Sequence, residues 1–202
     1  MAPLRALAAR HGLWMVEDAA QAIGARADGV AAGAFGEAAC LSFYPTKNLG
    51  GLGDGGMVLT PDATLAARVR QERHQGQTVP YVHDSIGLCS RLDELQAAAL
   101  GAKLPHLDAW NARRRAVAAA YTAQLTACGL ADRAGAPLVL PAPAGEAHVF
   151  HQYVVRARER DALRAHLAAA GVGTQVYYAT PLHLQPALAH LGVTRGALPQ
   201  AE

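Results

Sequence analysis

Lysine is nearly missing from this chain of 202 residues: of its eighteen lysines and arginines only Lys47 and Lys103 are lysines. Cysteine is as scarce. Cys40, Cys89 and Cys128 are widely spaced and odd in number, which excludes a disulfide framework and offers none of the spacing of a zinc site, so no metal is expected. A reducing interior, the cytoplasm, suits that usage. The net charge is only +2 and aromatics make up 5%, with no basic stripe interleaved with aromatics, so nucleic acid is not an expected partner. Arg113-Arg114-Arg115 reads as a solvated helix face. No apolar run approaches the roughly eighteen residues that span a membrane, and MAPLRALAARHG, broken by Arg5 and Arg10, lacks the apolar centre of a signal peptide. What remains is a chain that is 51% hydrophobic, long enough for a sizeable core as one large domain or a domain with an appendage.

In chain order, Pro3 to Arg10 reads as a short amphipathic helix closed by His11-Gly12, and Leu13 to Val16 as a buried parallel strand ending in Glu17-Asp18. Leu41-Ser42-Phe43-Tyr44 is a second strand, and Gly56 to Thr60 a third. Pro61-Asp62 opens a helix, with proline at an early position, that runs to about Arg73. Gly76 to Ser90 looks irregular. Asp93 to about Thr126 reads as one long helical stretch kinked near Pro105. From Gly129 the prolines Pro137, Pro141 and Pro143, with Gly145, mark a linker or edge region. Val149 to Val155 is a strand candidate, Glu159 to Ala170 a helix stopped by Gly171, and Val172 to Tyr178 another strand. The organisation expected is a large domain over residues 1–128 and a small one over 129–202.

Lys47 draws attention because an amine can lose its proton and a guanidinium effectively cannot. It follows an apolar run and Pro45, which places it just beyond a strand's carboxyl end, where open α/β sheets bind ligands. Taken alone, a lysine there is a solvated loop charge. Its surroundings differ: Gly50, Gly51, Gly53, Gly55 and Gly56 permit close backbone approach or positive φ, or simply make turns. The order is wrong for a Walker phosphate loop, where the lysine follows the glycines.

Glu17-Asp18-Ala19-Ala20-Gln21 taken with Ser42-Phe43-Tyr44-Pro45-Thr46-Lys47-Asn48-Leu49-Gly50 resembles the DegT/DnrJ family of pyridoxal-phosphate sugar aminotransferases. The resemblance continues through Gly53 to Gly56, through Arg91 to Ala98, and into Tyr178 to Pro186, nearly the whole chain. It implies an α/β fold of the type I pyridoxal-phosphate transferase (aspartate-aminotransferase-like) class, with a mainly parallel sheet domain and a small C-terminal α+β domain. It also implies that Lys47 bonds to the aldehyde of pyridoxal 5'-phosphate, that Asp18 pairs with the pyridinium nitrogen, that Gln21 contacts the ring, and that Ser42 binds phosphate. A carboxylate at that nitrogen keeps the ring able to accept electrons. Tyr178 and His183 are weaker candidates that face substrate or merely pack.

The implied substrate is a nucleotide-linked keto sugar, with glutamate as amino donor and a homodimer sharing its active sites, in amino-sugar, polysaccharide or antibiotic-sugar biosynthesis. Cys89 stands where the family commonly has an asparagine that reaches the neighbouring subunit's cofactor phosphate. Family chains begin upstream of Met1 and continue past Glu202, so the chain reads as truncated at both ends. Two other readings accompany this one: a non-catalytic remnant acting as an interaction module through the long helix, and a sugar dehydratase, against which Lys47 argues because such relatives carry histidine there.

Overall fold

The computed structural model describes residues 1–142 and 145–202; Pro143, one of the prolines expected to mark a linker, lies outside them. The chain divides into two compact units, Met1–Val155 and Arg156–Glu202. Residues 129–155 are tied into the first unit by side chains that reach their carbonyls: Asn48 donates to the Val149 carbonyl at 3.0 Å, and Arg114 to those of Phe150 and His151 at 3.2 and 3.3 Å.

In the first unit, α1 (Ala2–His11) ends at Gly12 in the left-handed region, as its sequence predicts. Its apolar face is uncovered: Leu4 and Leu7 are exposed. Strand β1 (Val16–Asp18) is shorter than the apolar run before it and is not buried as expected. Leu13, Trp14 and Val16 lie exposed, while Glu17 alone of the strand points inward. Alternation along a strand puts Val16 and Glu17 on opposite faces, and the covered face is the one that Glu17 takes. Short strands β2 (Arg26–Ala27) and β3 (Val30–Ala31) form a hairpin. They lead to β4 (Ala38–Ser42), which is central in a three-stranded sheet with β1 and β5 (Gly56–Leu59).

β1 and β4 run parallel, with Val16 opposite Ala38 and Asp18 opposite Cys40. β4 and β5 run antiparallel, Ala39 against Leu59 and Ser42 against Gly56, so among the described residues the sheet is mixed. No crossover helix separates these two strands, and a direct return of the chain dictates the antiparallel pairing.

Asp62 caps α2 (Ala63–Glu72) by accepting from the Thr64 and Leu65 N–H groups at 2.7 and 3.2 Å. Pro61 therefore precedes the cap and does not occupy an early helical position. The stretch expected to be irregular contains a hairpin, β6 (Gln77–Val79) with β7 (Val82–His83). The long helical stretch is two helices, α3 (Glu94–Lys103) and α4 (Leu107–Ala127), separated at Pro105 by a single 3₁₀ turn, where the proline removes a helical donor. No strand forms over Val149–Val155. Phe150 has φ 43°, outside strand geometry, and the carbonyls of Val149 to His151 bond to side chains instead of a neighbouring strand.

Phe43, Leu49, Leu100 and Leu107 form the buried cluster, with Ile23, Leu41 and Leu92 packed against it. The core therefore lies directly beneath the loop that carries Lys47.

The second unit contains α5 (Arg160–Ala169) and, after it, 3₁₀ turns at Leu182–Leu184 and Pro186–Leu191. Val172–Tyr178, expected as a strand, takes no strand conformation. Its alternating pattern finds no ladder partner within this unit, and a strand needs one to satisfy its backbone.

Candidate active site

The site begins with sheet register. Because β1 and β4 are parallel, Asp18 and Ser42 leave the sheet at the same, carboxyl, end. The ladder extends one step further through Ala19 N–H to the Cys40 carbonyl at 3.0 Å. Asp18 then folds the chain back on itself, its carboxylate accepting from Ala20 N–H at 3.1 Å, an Asx-type turn that leaves Gln21 and the Asp18 side chain exposed. Beneath it Glu17 is buried and accepts three backbone N–H groups: Gly33 at 2.8 Å, Gly36 at 3.0 Å, and Phe35. That carboxylate anchors the loop of residues 33–36 against β1.

Lys47 stands on a loop closed at both ends. Phe43 N–H donates to the Gly55 carbonyl and Gly51 N–H to the Phe43 carbonyl, each at 2.7 Å, while Lys47 N–H closes a turn onto the Tyr44 carbonyl at 2.8 Å. Phe43 and Leu49 sink into the core on either side of it. Two side chains from α3 hold the glycine-rich part: Gln96 accepts from Leu52 N–H at 2.7 Å, and Lys103, the second lysine, donates to the Gly50 carbonyl. The glycines act here through space and not through torsion. None from Gly50 to Gly56 has positive φ, and a Cβ on Gly50 would strike the Pro45 carbonyl.

The Lys47 side chain is half-buried and takes part in none of the ion pairs among the described residues. Ser42, also half-buried, uses its hydroxyl to accept from Tyr44 N–H at 3.3 Å. His151 lies within electrostatic reach of Lys47. Burial pushes its imidazole pKa below the usual range, and the positive charges of Lys47 and Arg114 add to that. A cavity of about 440 Å³ between α4 and residues 150–153 is lined by Asn48, Arg114, Tyr121, His151 and Tyr153. Two polar atoms at its wall, Asn48 Oδ1 and His151 Nδ1, are buried without a hydrogen-bond partner among the described residues.

Asp18, Gln21, Ser42 and Lys47 thus all belong to the first unit: Asp18 and Ser42 end β1 and β4, and Gln21 and Lys47 stand on the loops that follow them. Tyr178 and His183 belong to the second. There Tyr178 is exposed and meets Tyr177 edge-on at 5.5 Å, and His183 Nε2 lies 3.0 Å from a Glu202 carboxylate oxygen. Sequence reasoning missed Glu17, Asn48, Gln96, Lys103, Asn111 and His151. One signal was available: Leu107, Asn111 and Ala118 form the buried side of α4, and an asparagine on a buried stripe calls for a partner.

The chain matches the DegT/DnrJ/EryC1/StrS aminotransferase family over residues 1–202. It is 50% identical over 202 residues to the dTDP-3-amino-3,4,6-trideoxy-alpha-D-glucose transaminase of Streptomyces venezuelae, covering 100% of this chain and 52% of that protein. The crystal structure of S. venezuelae DesV in complex with a ketimine intermediate is similar with a TM-score of 0.90 at 49% identity, covering 100% of this chain and 53% of that one. The crystal structure of NtdA from Bacillus subtilis with bound cofactor PMP is similar with a TM-score of 0.81 at 29% identity, covering 98% and 46% respectively. The chain spans about half the length of the curated relatives it matches. No helix among the described residues is long and apolar enough to cross a membrane. With the family match running from the first residue to the last, and the fold of α/β type I transferases beside it, this chain belongs to the DegT/DnrJ/EryC1/StrS aminotransferase family.

Proposed function

We propose that the protein containing this chain is a pyridoxal-phosphate-dependent aminotransferase that moves an amino group from glutamate to a nucleotide-linked keto sugar. It works as a cytoplasmic homodimer in amino-sugar biosynthesis. The observation that carries the reading is half-buried Lys47, its amine outside every ion pair among the described residues, on a loop at the same sheet end as the exposed Asp18. Further support comes from relatives whose names specify sugar transaminases and from a B. subtilis neighbour with bound PMP.

The donor set suits the cofactor: an amine for its aldehyde, a carboxylate for its ring nitrogen, a hydroxyl for its phosphate and an amide for the ring edge. When bound, pyridoxal phosphate supplies an electron sink for a carbon that gives up its proton. In that setting Lys47 anchors the group through Nζ and carries the proton between carbons. Asp18 holds the proton at the ring nitrogen, Ser42 donates its hydroxyl to the phosphate, and Gln21 orients the ring. The tight loop over Phe43 and Leu49 keeps the amine from wandering, since a displacement of about 1 Å can cost on the order of a hundredfold in rate. Tyr178 and His183 are proposed to face the sugar substrate.

The test is covalent. Protein incubated with pyridoxal phosphate and reduced with borohydride is digested and analysed by mass spectrometry. The expected result is a phosphopyridoxyl mass on the Lys47 peptide, lost in Lys47→Ala together with glutamate-dependent turnover. A label spread over other amines, or equal in Lys47→Ala, removes the reading.

A further inference from the structure

We propose that Asn111 on α4 is a positioning residue, one that with Asn48 sets where the Lys47 loop stands relative to the turn holding Asp18 and Gln21. Asn111 is only 1% exposed and Asn48 only 6%, so both side chains are withdrawn from water, and the Asn111 amide and the Asn48 Nδ2 find protein partners in its place. Asn111 Nδ2 donates to the Ile23 carbonyl at 3.0 Å, two residues past Gln21. Its Oδ1 accepts from Asn48 Nδ2 at 2.8 Å, one residue past Lys47. The same Asn48 nitrogen also donates to the Val149 carbonyl at 3.0 Å, and Val149 is itself 1% exposed. Both amide orientations follow from the partners, because the Ile23 and Val149 carbonyls can only accept.

One helical side chain therefore bridges two loops from different strands, and each point of attachment lies within two residues of a residue of the proposed site. An apolar residue of similar volume would pack there without the cost of burying an amide, yet could neither donate to Ile23 nor accept from Asn48. The chain also leaves room for the bridge. Gly24 has φ 84°, and a Cβ on it would come within 2.5 Å of Asn111 Nδ2.

The inference rests on Lys47 being the cofactor-bearing residue, and its test is chosen to separate the two. Lys47 reactivity is read without cofactor, as the rate of acetylation by acetic anhydride at fixed pH, by peptide mass spectrometry in wild type, Asn111→Leu, Asn111→Ser and Asn48→Ser. Thermal unfolding accompanies each variant as the control for folding. The expectation is a Lys47 acetylation rate changed by about threefold or more in each folded variant, because the amine's surroundings move. Asn48→Ser combined with Asn111→Ser should be less than additive, because each alone already removes the bond between the two amides. In the loaded enzyme, kcat should fall about tenfold or more with KM for the sugar held, the pattern of lost positioning.

Unchanged acetylation and unchanged kcat in Asn111→Leu, or in Asn111→Ser should the leucine variant not fold, overturn the proposal even if Lys47 carries the cofactor. Altered acetylation in a protein whose Lys47 takes no phosphopyridoxyl label upholds the bridge and removes the functional reading.

Discussion

Replacing Glu17 by glutamine is a sensitive test of how the strand that ends in Asp18 is held. The carboxylate is buried, and its two oxygens accept from Gly33, Phe35 and Gly36 N–H groups. Glutamine keeps the shape and one acceptor oxygen, so the Phe35 and Gly36 bonds survive as neutral ones. On the other side an NH₂ group faces the Gly33 N–H, now 2.8 Å from an acceptor, and two donors meet. A hydrogen bond to a charged group contributes roughly 1.5–3 kcal/mol, and a buried donor left unpaired costs about 1–3 kcal/mol. Partial relaxation of the loop returns some of this, leaving an expected loss of about 2–4 kcal/mol. Against a total stability of about 5–15 kcal/mol that is a large share.

The assay is urea unfolding followed by far-UV circular dichroism, with the midpoint and slope both fitted. Glu37→Gln is the control: Glu37 accepts from Met15 N–H at 2.6 Å at an exposed site, where water replaces the lost bond, so its midpoint should move far less. A Glu17→Gln change below about 0.5 kcal/mol, the range of ordinary surface substitutions, would refute the reasoning and mean that the 33–36 loop is held by something other than this carboxylate.

Two further outcomes are expected. Gly24→Ala should lose about 2 kcal/mol or more in the same unfolding assay, because left-handed backbone penalises a side chain and the new Cβ meets the Asn111 amide; Gly29→Ala, with φ 76° and nothing near its Cβ, isolates the backbone share, and equal losses at both would remove the packing argument. For His151, a folded pKa held below the unfolded value of about 6.5 means the unfolded chain binds more protons as pH falls through that value, so stability declines from there down to the folded pKa; His151→Gln should flatten the decline, and an identical pH slope in the variant would count against it.

Much of the architecture was legible from local chemistry. The helix N-terminus near Asp62, the break at Pro105 and the loop position of Lys47 all follow from residues that act within a turn or two of themselves. The motifs around Asp18 and Lys47 were enough to point to the family and its type I fold. Other features depend on which surface lies opposite. A period of two shows that Val16 and Glu17 face opposite ways, but not that the carboxylate takes the inside; that depends on three amide groups arriving from residues 33–36. Val149 to Val155 has strand composition, yet the carbonyls of Val149, Phe150 and His151 go to Asn48 and Arg114, and no ladder forms there. The bridge through Asn111 joins residues 63 and 88 positions away along the chain. Local propensity acts through neighbours in sequence, whereas a buried amide is satisfied only by groups that folding brings to it, so its partners were decided by the tertiary structure alone.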